Sequence, residues 1–272
     1  TMATETVAPA CEEEAAEIVR EAAAKGIHLE IAGGGTKRGI GQIFQADRLL
    51  STAGLTGISH YDPAELVLTA RAGTPVAEIE AALAENGQML AFEPGDWRGL
   101  FGANGIPTIG ALAAANISGP RRLIAGAARD ALLGVRFVNG AGEVIKNGGR
   151  VMKNVTGLDL SKLLAGSFGT LGVLTQVALK TLPLAPASAT LAFHGLDVTD
   201  AVRISSQALA TPFEVSGAAT RGAPGIIIIY TACLVHLSIF GPASPPTSTA
   251  CGSRRALRSR SLGPAPQKVS EV

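Results

Sequence analysis

The chain has 272 residues, 47% hydrophobic and 17% charged, so it can bury a sizeable core as one large domain or two smaller ones. A net charge of +1 removes any global electrostatic case for nucleic-acid or membrane binding, and 4% aromatic content argues against a base-stacking surface. Cys11, Cys233 and Cys251 lie far apart with no C-x-x-C spacing, and His28, His60, His194 and His236 are isolated, so no disulfide, iron–sulfur or metal framework is expected.

The first ten residues have neither the basic start nor the apolar core of a secretion signal, which leads to the expectation of a cytoplasmic chain. Glu12 to Lys25 reads as an amphipathic helix of strong helix formers, acidic early, basic late and stopped by Gly26. A short apolar run at 28–32 predicts a strand. It leads into Gly33, Gly34, Gly35, Thr36, Lys37, Arg38 and Gly39. Glycine lets a backbone turn tightly and approach a ligand, and successive N–H groups in such a turn make an anion-binding nest. A Walker A loop is excluded because Thr36 and Lys37 stand in the wrong order. A Rossmann fingerprint is excluded because Arg38 stands where its third glycine belongs. Taken alone, the loop reads equally as a diphosphate cradle or as a surface turn with no ligand.

Leu66 to Arg71 predicts a strand, and Gly73 to Pro75 starts a helix that ends at Asn86 and Gly87. Residues 107–120 are small over more than two helical turns, and a helix start near Gly110 would present positive partial charge to a phosphate. Leu132–Val138 and Glu143–Lys146 flank a hairpin signal at 139–142. A third glycine-bearing segment spans Lys153 to Val173, with a short helix at 159–165. A strand at 172–182 follows, and this alternation of elements indicates α/β or α+β layers.

The order and spacing of these three segments resemble the FAD-binding domain of the p-cresol-methylhydroxylase type, also called the vanillyl-alcohol-oxidase type. The resemblance covers about Ala8 to Pro186 and includes Tyr61–Pro63, Ala72–Thr74, Gly87–Gln88 and Phe92–Pro94. Within the family, segments 149–155 and 166–175 are most similar to the E subunits of bacterial glycolate oxidase complexes. Those complexes also contain a larger FAD-binding subunit and an iron–sulfur subunit.

The resemblance implies an α+β fold, with two α+β subdomains and FAD between them in residues 1–186. The start of a truncated substrate or cap domain would fill 187–220, with a strand at 188–194, a helix at 200–210 and family-like residues at 213–217. From 221 to 272 the family pattern is lost. Six basic residues there face one acid, and proline, serine and arginine cluster without apolar periodicity. That segment is expected to be a disordered or altered tail, as from a shifted reading frame. Its apolar run, Ile226–Phe240, is about fifteen residues and contains His236. It is shorter than the roughly twenty needed to span a membrane and reads as a buried strand or an aggregation-prone segment. The Arg254–Arg260 cluster reads as solvated tail.

By the resemblance, Gly33–Gly39 would hold the pyrophosphate. Thr108, Ile109 and Gly110 with Asn116, Ser118 and Gly119 would form the second cofactor loop. Gly126, Arg129, Asp130, Gly169, Gly172 and Val173 would line the rest, Asp130 either orienting Arg129 or forming a structural ion pair. Covalent members attach FAD through a histidine in or near the first loop. None lies between Gly33 and Gln42, which implies noncovalent FAD. Phe168 stands where many dehydrogenase relatives carry an acid, which suits an E-type subunit and weighs against independent catalysis.

Oxidation of a 2-hydroxy acid needs a held flavin, a cationic clamp for the carboxylate and a base. In relatives the last two come largely from the second domain, so no catalytic residue is assigned. Arg98, Arg121 and Arg122 read as anion ligands or as solubilising surface. The expected role is an FAD-binding subunit oxidising glycolate to glyoxylate within its complex, cytoplasmic and membrane-associated at most through that complex. A self-sufficient FAD-dependent 2-hydroxy-acid dehydrogenase and a non-catalytic scaffold are the alternatives.

Overall fold

A strand of three residues, β1 (Glu5–Val7), precedes the helix that the sequence predicts, α1 (Glu12–Lys25). In this computed structural model, residues 5–41, 45–149, 158–186, 189–213, 215–221 and 225–231 are described. Helix α1 ends where Gly26 turns left-handed at φ 66°, a conformation that glycine adopts without a Cβ penalty. β2 (Leu29–Ala32) and β3 (Arg48–Ser51) complete a parallel three-stranded sheet in the order β1-β3-β2. Ala15, Ala16 and Val19 of α1 pack with Leu50 of this sheet, and with Val138 and Val173 of the next, in one buried cluster.

The second subdomain begins with β4 (Ile58–Asp62), β5 (Val67–Arg71), α2 (Val76–Ala84) and β6 (Gln88–Leu90). Four short helices follow: α3 (Arg98–Phe101), α4 (Ile109–Ala114), α5 (Arg122–Ala125) and α6 (Ala128–Ala131). β7 (Leu132–Val138), β8 (Val144–Gly148), α7 (Leu160–Leu164) and β9 (Val173–Pro183) complete it. The antiparallel sheet runs β4-β5-β9-β7-β8, with β6 paired to the far end of the long β9. Alternate strand residues Leu68, Ala70, Val177 and Leu179 face one side and pack against Ile79 and Leu83 of α2, Ile109 and Leu112 of α4, and Leu164 of α7. Thr74 fastens the turn before α2, donating from Oγ1 to the Arg71 carbonyl at 2.7 Å and accepting the Gly57 N–H at 3.0 Å.

A third sheet contains β10 (Ala189–Leu196), β11 (Val215–Arg221) and β12 (Gly225–Thr231) in the order β10-β12-β11, with α8 (Val198–Leu209) between β10 and β11 in the chain. Asp197 caps α8 by accepting the Asp200 N–H at 2.7 Å. β12 falls inside the 221–272 segment expected as a tail and makes the first part of its apolar run a strand. Residues 232–272, including Cys233, His236, Cys251 and the arginine cluster, lie outside the described residues.

The long periodic elements match their sequence expectation closely. The exception is the helix expected from the small residues of 107–120. It is six residues long, because Asn116 turns left-handed at φ 50° and ends it. Strands β1, β3, β4 and β6 and helices α3, α5 and α6 carry too few residues to show a period.

Glu12, at the start of α1, ties the two subdomains together. Its carboxylate accepts from Arg136 Nε at 3.0 Å and from the Thr175 hydroxyl, 163 residues away. Burial raises the Glu12 carboxyl, but the hydrogen bonds from Arg136 and Thr175 and the Arg136 charge outweigh it, so its pKa lies below the ordinary 4.5. A lowered folded-state value stabilises the protein above 4.5 and loses that contribution as pH falls through it. In thermal melts on acidification below 4.5, the wild-type Tm is expected to fall more steeply than that of Glu12→Gln, which already starts lower at neutral pH.

Candidate functional site

The loop after β2 is shaped by close backbone approach. A Cβ on Gly34 would lie 1.7 Å from the Ile106 carbonyl oxygen, one on Gly105 would lie 1.6 Å from the Gly34 oxygen, and one on Gly33 would meet Thr108 Oγ1 at 2.1 Å. The predicted first and second loops are therefore in contact. Gly35 is left-handed at φ 73°. The main-chain N–H groups of Gly34, Gly35, Thr36 and Lys37 find no acceptor among the described residues. Thr36 is buried, and Lys37 Nζ reaches its hydroxyl at 3.2 Å. Burial pushes the Lys37 ammonium down, opposed by the negative charge of Asp96. Arg38 holds the loop to its own strand through a two-pronged pair with buried Glu30, both contacts at 2.6 Å. Gly39 leaves room for the Phe101 ring, which a Cβ would meet at 2.7 Å.

Helix α4 is the spine of the site. Ala111 faces Gly33, and the Ala114 carbonyl accepts the N–H groups of both Gly166 and Phe168 at 2.9 Å. The expectation that its N-terminus would meet a phosphate is corrected by the geometry. Ile109 N–H donates to Thr74 O at 3.0 Å and Gly110 N–H to Ala72 O at 2.8 Å, so protein carbonyls already occupy both. Ile109 is buried, and a Cβ on Gly110 would press on Ala72 at 2.5 Å, which assigns both residues to packing. Thr108 differs: its hydroxyl is buried and has no hydrogen-bond partner among the described residues.

Asn116, Ser118, Gly126, Arg129 and Asp130 come together around α6. Asn116 Oδ1 accepts the Arg129 N–H and Ser118 Oγ accepts the Ala128 N–H, each at 2.9 Å. Asp130 makes no ion pair with Arg129 among the described residues. Its Oδ2 accepts the Ala127 N–H at 2.8 Å across Gly126, left-handed at φ 80°. Lys162, which sequence reasoning passed over, closes the other end of α6 by donating to the carbonyls of Arg129 and Leu132. Gly119 N–H donates to Phe92 O at 2.9 Å, and its missing side chain makes room for the Glu93 carbonyl. Gly169 approaches Ile31 of β2, Gly172 approaches the Val138 carbonyl, and Val173 is buried as β9 begins. The first part of the third segment, with Lys153, lies in 150–157, outside the described residues.

Beside the first loop, a cavity of about 500 Å³ is lined by Asp96, Arg98, Gly99, Gly102, Ala103 and Asn104. Arg98 pairs with Asp96 at 2.7 Å, and the Asp96 hydrogen bonds and charge raise its pKa. Arg121 Nη1 reaches Met89 Sδ at 3.5 Å and makes no ion pair among the described residues. Leu100, Ile106, Leu123, Ile124, Leu163 and Phe168 expose apolar surface around these segments.

Residues 3–148 match the family described as FAD binding domain, more than half of the chain. The chain belongs to the FAD binding domain family. It is 45% identical over 161 residues to glycolate oxidase subunit GlcE of Escherichia coli (strain K12), covering 59% of this chain and 44% of that protein. It is 32% identical over 178 residues to D-lactate dehydrogenase of Archaeoglobus fulgidus, covering 65% of this chain and 38% of that one. A solved alkyldihydroxyacetonephosphate synthase shares the fold with a TM-score of 0.63 at 20% identity, over 78% of this chain and 38% of its own. The chain thus spans less than half the length of these relatives. The α+β, p-cresol-methylhydroxylase-type FAD-binding fold expected from the sequence is borne out, and FAD is the cofactor of the family.

The site fits that cofactor. Acceptorless N–H groups, an orphaned hydroxyl at Thr108 and a half-buried ammonium at Lys37 offer donors to a diphosphate where two loops meet. Among the described residues no helix is long and apolar enough to cross a membrane, and no cluster of side chains has the makings of a metal site.

Gly34→Ala tests the backbone contact between the loops. Its Cβ would collide with a carbonyl, not with a flexible side chain, so chemical denaturation is expected to show a loss of about 2 kcal/mol or more. Gly99→Ala, where nothing lies within 4 Å of the added carbon, is expected to change stability by less than about 1 kcal/mol.

Proposed function

We propose that this chain holds FAD noncovalently between its first two subdomains and serves as the FAD-binding subunit of a glycolate oxidase-type complex. That complex would oxidise a 2-hydroxy acid, glycolate, to glyoxylate. The observation that carries the reading is the meeting of three glycine-bearing segments on α4, with four consecutive N–H groups at 34–37 that have no acceptor among the described residues. The similarity to GlcE supports the subunit role, with a larger FAD-binding subunit and an iron–sulfur subunit as partners and any membrane attachment made through the complex.

Gly33–Lys37 and the Thr108 hydroxyl would hold the pyrophosphate, while Arg38 and Gly39 set the loop. Asn116, Ser118, Gly119, Gly126, Arg129 and Asp130 would shape the second wall through α6, and Gly169, Gly172 and Val173 the third. Bound FAD supplies the acceptor for the two electrons of the hydroxy acid. Phe168 is half-exposed and left-handed at φ 54°, its N–H fixed on the Ala114 carbonyl, and its ring can neither accept nor donate a proton. Proton removal and the carboxylate clamp therefore fall to other groups. In relatives these come largely from the second domain, of which the sheet β10-β12-β11 and helix α8 would be the start.

Purified protein is expected to be yellow and to release FAD on denaturation; a folded, colourless protein that takes up no added FAD overturns the reading. Thr108→Val keeps the shape and removes the orphaned hydroxyl. It is expected to leave the melting temperature of the FAD-free protein unchanged or raised while weakening FAD binding about tenfold. Glycolate-dependent dye reduction is expected to be weak with the isolated chain and to recover with its partner subunits. Full activity of the chain alone would establish the self-sufficient dehydrogenase instead.

A further inference from the structure

The third sheet meets the candidate site where β11 crosses the segment that leads into α5. The register of β11 against β12 slips there. Val215 pairs with Thr231 and Gly217 with Tyr230, so Ser216 is an extra residue, a β-bulge. The bulge lets Val215 and Ala218, three residues apart, pack in one cluster with Ala201 of α8. Gly217, next to Ala218 on an alternating strand, faces the other way. What it faces is Pro120. A Cβ on Gly217 would lie 2.9 Å from the Pro120 carbonyl carbon and 3.0 Å from its oxygen. Glycine inside a strand costs stability, and this close approach of another main chain accounts for it. The contact also hides an edge: β11 lies at the border of its sheet, yet Val215, Ser216 and Gly217 are buried, while Thr220 near its other end is exposed.

Pro120 follows Gly119, the end of the second cofactor loop, and that end has little play. A Cβ on Gly119 would meet the Glu93 carbonyl oxygen at 2.5 Å, and Glu93 is itself left-handed at φ 47°. Arg122 N–H donates to the Gly119 carbonyl at 3.1 Å, and Arg121 N–H to Glu93 Oε2 at 3.4 Å. Two successive residues are therefore pressed against other main chain, Gly119 against Glu93 and Pro120 against β11. A push on Pro120 meets no flexible side chain that could absorb it. It passes along the backbone to Gly119, Ser118 and the left-handed Asn116.

We propose that Gly217 is a positioning residue for the flavin: seated on Pro120, it lets the third sheet brace the second cofactor loop in the shape that binds FAD. This role rests on the reading above, in which Asn116, Ser118 and Gly119 shape the cofactor's second wall. It makes cofactor retention depend on a sheet that supplies none of the proposed cofactor contacts. Linked equilibria are reciprocal, so bound FAD in turn holds the third sheet in place.

FAD titration of the full chain, followed by flavin fluorescence, tests this on the wild type, Gly217→Ala and Asp197→Ala. Gly217→Ala is expected to weaken FAD binding about tenfold, within the usual range for coupled sites. Asp197→Ala takes the cap from α8 and leaves the Pro120 contact alone, and is expected to change FAD affinity by less than about twofold. Wild-type affinity in Gly217→Ala overturns the proposal. So does an equal loss in both variants, which is general loosening of the third sheet. Hydrogen exchange on the wild-type chain does not depend on how the variants fold: FAD is expected to slow exchange of the amides of 215–221, and unchanged exchange there overturns the proposal. A wild-type chain that takes up no FAD overturns the cofactor reading and the bracing role together. Tight wild-type binding with any of the contrary results above overturns the bracing role alone.

Discussion

Everything in the candidate site depends on two stretches of main chain touching without side chains between them. Gly34 and Gly105 approach each other so closely that neither has room for a single carbon, and Gly33 admits Thr108 in the same way. The loop after β2 in the first subdomain and the loop before α4 in the second are thereby held at backbone contact. Such contact excludes side-chain rearrangement as a way to adjust the gap, so the loop geometry is set by covalent dimensions. The pair of buried Glu30 with exposed Arg38 then fixes the loop on its strand, because separating it would leave the Glu30 carboxylate unpaired in a place with little water.

The same region concentrates unusual backbone. Among the described residues four non-glycine positions are left-handed, and three of them, Glu93, Asn116 and Phe168, adjoin Gly119, α6 and α4. Each such residue costs on the order of 1 kcal/mol and persists where neighbouring contacts over-determine it. Those contacts are present: Asn116 accepts from Arg129, and Phe168 is held by the Ala114 carbonyl. Strain gathered at one cleft, with hydrogen bonds arranged to maintain it, is the pattern of a region shaped for something other than stability.

The glycine loops were legible in the sequence because their signal is local, and it was the order and spacing of three such segments, not any one of them, that pointed to a cofactor. Helix α1 and strands β5, β7 and β9 were legible from their local residue patterns, and α8 from the family resemblance. The fate of individual polar groups was not, since it depends on partners remote in the chain. Nothing near Gly110 reveals that the carbonyls of Ala72 and Thr74 will take the first amides of α4. Nothing near Asp130 shows that it will serve Ala127 and leave Arg129 alone. Lys162 was invisible for the same reason, its partners lying some thirty residues away. The landmark at 72–74 acquires a physical cause in return: Gly73 has no room for a Cβ beside the Thr52 carbonyl, and Thr74 staples the turn.

The strand order β10-β12-β11 has a consequence for how the chain assembles on the ribosome. β10 and β11 have no ladder with each other; each pairs with β12, which is made last. Until residues 225–231 emerge, the earlier two strands have backbone groups to satisfy and no neighbour to satisfy them. The flavin-binding subdomains, whose strands are all synthesised by residue 183, close their sheets before then. The third sheet is therefore a late arrival that zips from its centre. During that interval its two waiting edges are the most adhesive part of the nascent chain.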